Sequence, residues 1–333
     1  MMSIIWHTPS IAIRIRASLG RTSCPGLIQL LQCPPLRFQS TNRDMSTLTF
    51  PLNDGTNVPA LAFGTGTALY NKDAQNAVVT AIKTGFVHLD GAQMYGNEDS
   101  LGDAIVASGK PRESLYITTK LNKLSKGQTV KSTLVESLRK LKVDYVNLFL
   151  IHMPNHHEVP LTDIWKQMEE VQKEGLAKSI GVSNFRIKDF EEILPGATVK
   201  PVVNQIEFHP YVFGAAESLY EYTEKQGIRT ESYGGLTPIV RARGGPLDPV
   251  LAKITERISK TGGKSVSEGQ VLSKWLLQKG VVVVTTSSKE ERIKEYLAVP
   301  SLPDLTAEEI AELEAAGKKH HKRAFCQWLD EKN

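Results

Sequence analysis

A carboxylate, a phenol, an ammonium and an imidazole recur in this chain at the ends of short apolar runs. Asp90 closes the run Phe86-Val87-His88-Leu89, and Tyr95 follows it in the string GFVHLDGAQMYGNE, residues 85–98. Lys120 ends Leu115-Tyr116-Ile117-Thr118-Thr119, and His152 ends Val146-Asn147-Leu148-Phe149-Leu150-Ile151. Buried parallel strands read this way, and in an α/β barrel their C-terminal ends converge on one mouth. Groups 62 positions apart could therefore share a pocket. The chemistry would be proton delivery. A Lys120 ammonium beside Tyr95 would favour the phenolate and lower a pKa that is ordinarily about 10. Asp90 would hold Lys120 charged and oriented, and His152 would hydrogen-bond a carbonyl oxygen near the phenol. This suits a proton donor for a carbonyl undergoing reduction. A lone Lys or His at a strand end is ordinarily a solvated or core polar residue. The signal is four such groups in phase with four predicted elements.

The elements that must position these groups follow from hydrophobic periodicity. A hairpin opens the body: TLTFPL, the tight turn Asn53-Asp54-Gly55, then VPALAF. Strands are predicted at 60–63, 86–90, 115–120, 145–151, 178–182, 202–206, 228–232 and 281–285. Between them helices are predicted at 73–84, 97–108, 128–141, 161–174, 187–193, 215–226, 265–279 and 289–297. Eight strand–helix units over roughly 250 residues predict an α/β fold of the (β/α)₈ barrel type rather than an open doubly wound sheet. The hairpin and two further helices, 249–261 and 307–318, are additions to the eightfold count.

The chain has 333 residues, of which 41% are hydrophobic, ample for one barrel domain over 45–333. No apolar run approaches the ~20 residues that span a bilayer, so no membrane association is expected. Residues 1–43 carry Arg14, Arg16, Arg21, Arg37 and Arg43 with no acidic residue. With those arginines and Asp44 set aside, 35 basic and 35 acidic side chains remain, and no footprint for nucleic acid is left. The Arg-rich segment 1–44 has the composition of a mitochondrial presequence. The alternative is a start assigned too far upstream, because Met45 opens a well-formed domain sequence. The expected location is mitochondrial in the first case and cytoplasmic in the second. Cys24 and Cys33 lie in that segment, which leaves Cys326 alone and excludes a disulfide framework. No Cys/His spacing matches a metal site, and His156-His157 and His320-His321 are adjacent pairs that rarely aim at one ion. The run Lys318 to Arg323 reads as the solvated end of the last helix.

At these strings the sequence resembles the aldo-keto reductase family. GFVHLDGAQMYGNE resembles the family's second-strand signature, LYITTKL its lysine segment and VDYVNLFLIHMP its histidine segment. KSIGVSNF at 178–185 and PVVNQIEFHPY at 201–211 resemble its fifth- and sixth-strand motifs. The resemblance covers about 58–328. It implies a catalytic tetrad of Asp90, Tyr95, Lys120 and His152. It implies that Ser183, Asn184 and Gln205 hold a nicotinamide carboxamide, whose donors and acceptors such groups satisfy. It also implies that Tyr233 stacks on the nicotinamide ring, with Thr65, Asp90, Gly234 and Leu236 as further cofactor contacts.

Gly64-Thr65-Gly66 is Gly-rich, but position 69 is Leu69, so the GxGxxG pattern of a Rossmann site fails. The family binds NADPH across the barrel mouth, and Ser287 and Arg292 align with its 2′-phosphate ligands. A guanidinium fork suits a phosphate dianion. Thr286 stands where most members carry a lysine, which opens the way to NADH beside the preferred NADPH. Asn122 and Met153, with His152, are the expected substrate contacts. Asn122 replaces a frequent tryptophan and Met153 a bulky aromatic, so a roomier or more polar pocket is expected. The pattern SYGGLTP with VTTSS resembles a fungal-type branch acting on α-keto amides and related activated carbonyls. Arg241 and Arg243 lie in a loop, 234–248, read as flexible and solvated. A small-molecule carbonyl is the expected partner, and a monomer or weak dimer the expected assembly. Two other roles compete: a cofactor-binding sensor or accessory subunit with little turnover, and an NAD-dependent alcohol dehydrogenase.

Overall fold

A computed structural model describes residues 48–330. The expectations for residues 1–44, including Cys24 and Cys33, lie outside the described residues. Thr49–Pro51 (β1) and Asn57–Pro59 (β2) pair antiparallel around the turn at Asn53-Asp54-Gly55. Gly55 takes φ +84°, the left-handed conformation that such a turn demands. The strand following, Leu61–Gly64 (β3), leaves the hairpin and enters the barrel.

The remaining strands are His88–Asp90 (β4), Tyr116–Leu121 (β5), Val146–Ile151 (β6), Ala177–Ser183 (β7), Val203–Glu207 (β8), Arg229–Tyr233 (β9) and Val282–Thr285 (β10). Strands β3 to β10 close into an eight-stranded parallel barrel in chain order. Helices alternate with them: Gln75–Thr84 (α1), Glu98–Ala107 (α2), Val130–Leu141 (α3), Leu161–Lys173 (α4), Ile187–Ile193 (α5) and Pro210–Gln226 (α6). Thr237–Val240 (α7), Leu247–Gly262 (α8), Glu268–Gln278 (α9), Glu290–Ala298 (α10) and Ala307–Lys318 (α11) follow. The architecture is the (β/α)₈ barrel that the alternation predicts, with α8 and α11 as the additional long helices; α11 packs on α6 and α8.

Two boundaries differ from the sequence reading. Helix α6 begins at Pro210 rather than near 215. Proline suits a first helical position, where its missing N–H would be unsatisfied anyway. The buried run Tyr211-Val212-Phe213 masks the helical period there. The loop at 234–248 contains the short helix α7, started by Pro238 at its second position.

The hairpin plugs the floor of the barrel. Asn53 donates to the Pro201 carbonyl at 2.9 Å, Ser179 near the start of β7 donates to Asp54 Oδ2 at 2.7 Å, and Arg229 at the start of β9 donates to the Pro51 carbonyl at 3.1 Å. Its own Phe50, Leu52 and Val58 are buried. With the floor closed, the open end lies at the C-terminal ends of the strands, where Asp90, Lys120 and His152 stand.

Candidate active site

Closure of the barrel brings the four strand-end groups together. Lys120, fully buried near the end of β5, donates from Nζ to Asp90 Oδ1 at 2.6 Å and to the Gly91 carbonyl at 2.9 Å. The Tyr95 hydroxyl lies 3.4 Å from the same nitrogen. Tyr95 sits in a 3₁₀ turn, Gln93–Tyr95, that follows β4. The His152 ring stands edge-to-face with that of Tyr95, centroids 5.5 Å apart. Gln205 on β8 donates its amide to the second Asp90 oxygen at 2.9 Å. Since β4 and β8 lie on opposite sides of the barrel, this bond crosses the lumen. Asp90 thus spends one oxygen on a cation and the other on an amide, so both acceptors are satisfied.

The electrostatics correct one expectation. Lys120 does favour the Tyr95 phenolate, but burial of the hydroxyl outweighs it, and the Tyr95 pKa is raised rather than lowered. Asp90 adds to the rise, because a second anion beside a carboxylate is disfavoured. Burial alone would drive the proton from Lys120. The Asp90 carboxylate and the Tyr95 hydroxyl oppose this, and the net shift is upward, so Lys120 stays an ammonium. His152 moves the other way, to about 3, through burial first and Lys120 second. It is a neutral imidazole, and its Nδ1 is buried without a protein partner.

The residues expected to hold a nicotinamide form a second network beside the first. Ser183 donates to the Gln205 carbonyl at 2.7 Å, and Asn184 donates to the His152 carbonyl and to Ser183 Oγ, both at 3.0 Å. Tyr233 donates its hydroxyl to Asn184 Oδ1 at 2.7 Å. Asn184 takes φ +60°, a conformation that asparagine tolerates better than most residues. Gln205 therefore serves Asp90 in this structure, a contact the sequence reading did not foresee. Thr65 is fully buried and hydrogen-bonds the Asp90 carbonyl through its N–H at 2.9 Å. At the far side of the mouth, Ser287 Oγ accepts from the Lys289 N–H at 3.0 Å and so shapes the entry to α10. Arg292 is exposed in the first turn of that helix, and Thr286 is half-buried with its hydroxyl lacking a protein partner.

The model of the Aldo/keto reductase family matches residues 60–318, most of the chain. The chain belongs to the aldo/keto reductase family. It is 42% identical to the NAD/NADP-dependent indole-3-acetaldehyde reductase of Schizosaccharomyces pombe over 83% of this chain and 98% of that protein. It is 34% identical to the NADPH-dependent alpha-keto amide reductase of Saccharomyces cerevisiae, over 81% of this chain and 91% of that one. Among solved structures it resembles the Bombyx mori aldo-keto reductase in complex with NADP, at 31% identity and a TM-score of 0.74, covering 85% of this chain and 97% of that chain.

The rim of this aldo/keto reductase is built from segments the sequence reading treated as loops. Asn122 is half-buried, its N–H held by Gln93 Oε1 at 2.9 Å, and Met153 is half-buried beside His152. His157 pins this edge, accepting from the Leu124 N–H at 3.1 Å and meeting the Met153 carbonyl at 2.8 Å. Tyr70, 44% exposed, packs edge-to-face on Tyr95 at 6.2 Å and extends the wall outward; no motif marks it in the sequence. The C-terminal segment closes the opposite side. Fully buried Glu207, at the end of β8, accepts from the backbone N–H groups of Ala324 and Phe325 at 2.8–3.0 Å. Phe325 then meets Tyr233 edge-to-face at 5.8 Å, and Arg241 lies 5.1 Å from the Phe325 ring centroid. Gly234, at φ +68°, passes so close that a Cβ would sit 3.3 Å from Glu207 Cγ. Leu236 is half-buried just before α7.

Two charged segments are corrected as well. Arg243 pairs with Glu268, and Arg241 covers Phe325, so the arginines of 234–248 are engaged rather than simply solvated. The run after α11 is also docked: His320 packs on Tyr211, while His321 and Arg323 both meet Asp330. Arg323 is buried. Cys326 is half-buried next to Tyr233.

Proposed function

We propose that this protein is an NADPH-dependent reductase of aldehydes and activated ketones, α-keto amides among them. The observation that carries the reading is the Lys120 ammonium set between Asp90 Oδ1 at 2.6 Å and the Tyr95 hydroxyl at 3.4 Å, with a neutral imidazole across the phenol ring. The substrates named for the two yeast relatives, an indole aldehyde and α-keto amides, support this substrate range.

The mouth fits a nicotinamide dinucleotide. Ser183, Asn184 and Gln205 present the amide and hydroxyl groups a carboxamide needs, Tyr233 presents a ring, and the Thr286 hydroxyl and His152 Nδ1 are polar groups without a protein partner. When bound, NADPH supplies the hydride. The chain supplies the rest. Tyr95 gives its proton to the carbonyl oxygen, and Lys120 stabilises the phenolate left behind. Asp90 keeps Lys120 charged and aimed, and the neutral His152 orients the carbonyl through one ring N–H. Asn122 and Met153 line the substrate side. Ser287 and Arg292 receive the 2′-phosphate, Arg292 through its guanidinium fork. A carbonyl panel followed by nicotinamide absorbance, with NADPH and NADH in parallel, tests the reading. Turnover of aldehydes and α-keto carbonyls with NADPH is expected. Cofactor binding without consumption would replace the reading with a sensor or accessory role.

Thr286 favours a second reading within the same chemistry, in which NADH is also accepted. The relative named for both cofactors supports it. Tighter binding of NADH than NADPH would turn the assignment toward an NAD-dependent alcohol dehydrogenase. The Arg-rich segment 1–44 would direct the protein to mitochondria where it is translated, and a chain starting at Met45 would remain cytoplasmic; mass spectrometry of the protein from each fraction distinguishes them. A monomer or weak dimer is expected by light scattering.

A further inference from the structure

The barrel lumen holds a second carboxyl group that the reaction described above does not use. Glu231 on β9 is the register partner of Gln205 on β8 and so shares its lumen-facing side. Gln205 in turn bonds Asp90 across the lumen. Glu231 is fully buried, and neither of its oxygens has a hydrogen-bond partner.

The groups around it compensate a charge only in part. The Lys120 ammonium is committed to Asp90 at 2.6 Å. His88 on β4 is buried and bonded to Thr118 Oγ1 at 2.8 Å, a neutral ring. Tyr116 on β5 has a buried hydroxyl that is itself unpartnered. Arg229, two residues earlier on the same strand, directs its guanidinium to the carbonyls of Gly280 and Pro51 at the floor. A buried carboxylate whose oxygens make no hydrogen bond, beside an ammonium already paired elsewhere, is disfavoured, so this carboxyl carries a proton near neutrality. Burial first and Asp90 second push its pKa to about 8, while Gln205 and Lys120 pull in the opposite direction.

We propose that Glu231 is a positioning residue of the reductase site: it stores a proton beside the Asp90–Lys120 pair, and on releasing it becomes a second anion that shares Lys120 and keeps Tyr95 in its phenol form to higher pH. The inference rests on the reading of Tyr95 as the acid. The proton passes from the Glu231 carboxyl to solvent, and no other bond changes. Among the described residues Lys120 is the ammonium that favours the phenolate, and both Asp90 and Glu231 oppose it. As pH rises, ionisation of Glu231 adds to that opposition, and the acid needed for carbonyl reduction persists.

The test is the pH profile of reductive kcat/KM, from about pH 6 to about pH 10, for the wild type, Glu231→Gln and Glu231→Asp with one carbonyl substrate and saturating NADPH. The Gln variant should lose activity at lower pH than the wild type, falling about fivefold below it at the alkaline end, and its alcohol oxidation should begin at lower pH. The Asp variant, which keeps an ionisable carboxyl, should restore the alkaline limb. Superimposable limbs for wild type and Gln variant would overturn the inference, as would an Asp variant that tracks the Gln variant. Should the Gln variant fail to fold, infrared spectra of the wild type decide: a protonated-carboxyl stretch present at neutral pH and lost on alkalinisation is expected, and its absence overturns the proposal. Failure of the Tyr95 reading is separately visible, as carbonyl reduction retained in Tyr95→Phe.

Discussion

Gly66 lies directly against Tyr95: a Cβ built on Gly66 would fall 2.8 Å from Tyr95 Cζ and 3.2 Å from its hydroxyl oxygen. The Gly-rich string at 64–67, which fails as a dinucleotide fingerprint, instead leaves the space in which the phenol reaches Lys120. Gly66→Ala should push the ring away from Lys120 and lower kcat about tenfold to a hundredfold, with the fold intact. Steady-state kinetics alongside a thermal melt checks this, and an unchanged kcat would remove the packing argument.

Lys120 and Asp90 form a buried pair with side chains 0% and 2% exposed. Lys120→Met leaves the carboxylate without its cation, and destabilisation of about 3–5 kcal/mol is expected. Denaturant unfolding measures it. Asp90→Asn in the same background should recover part of the loss, because the stranded charge is then gone.

In the proposed reading the exposed Arg292 meets the 2′-phosphate, and Thr286 withholds a second cation. Arg292→Ala should weaken NADPH binding by roughly 10- to 100-fold and leave NADH nearly unaffected. Fluorescence titration with each cofactor reads the difference. Thr286→Lys should act in the reverse direction and sharpen the preference for NADPH.

Buried groups make stability depend on pH in opposite directions. His88 and His152 are held neutral by burial, with pKa values lowered from 6.5 to about 4 and about 3. Groups depressed in the folded state contribute stability that is present above 6.5 and is lost as pH falls through those values. Glu231 behaves oppositely. Its pKa is raised from 4.5 to about 8, so its contribution is complete below 4.5 and is lost as pH rises through about 8. Glu231→Gln should therefore gain stability relative to the wild type steadily across that interval. Denaturant unfolding at a series of pH values follows it, and a pH-independent difference would contradict the assignment.

Much of the site was legible because its groups end strands. Asp90, Lys120 and His152 each follow an apolar run that burial in a parallel sheet requires, and alternation with helices points to a barrel whose strand ends converge. What stayed hidden depends on closure. The Gln205–Asp90 bond joins residues 115 positions apart on opposite walls, and the Glu207 contacts to Ala324 and Phe325 span 117 and 118. No local pattern encodes such pairings. Glu231 was missed for a related reason: in the string RTESY a glutamate flanked by polar residues reads as exposed, whereas β9 turns it into the lumen. The raised pKa of Tyr95 was likewise invisible, because composition names the neighbouring Lys120 but not the depth at which the hydroxyl is buried. The docked C-terminal run shows the same limit, since its charges pair with Asp330 and pack on Tyr211 only once α6 and α11 are side by side.

The most direct test of the central claim is the Tyr95→Phe variant, assayed for NADPH binding and carbonyl reduction in the same preparation. The phenol hydroxyl is the only atom removed, and the ring that packs against Tyr70 and His152 stays. NADPH should still quench the protein's fluorescence with near wild-type affinity, while carbonyl reduction falls by about 10²- to 10⁴-fold. Reduction at the wild-type rate would contradict the account, because the proton would then come from another group.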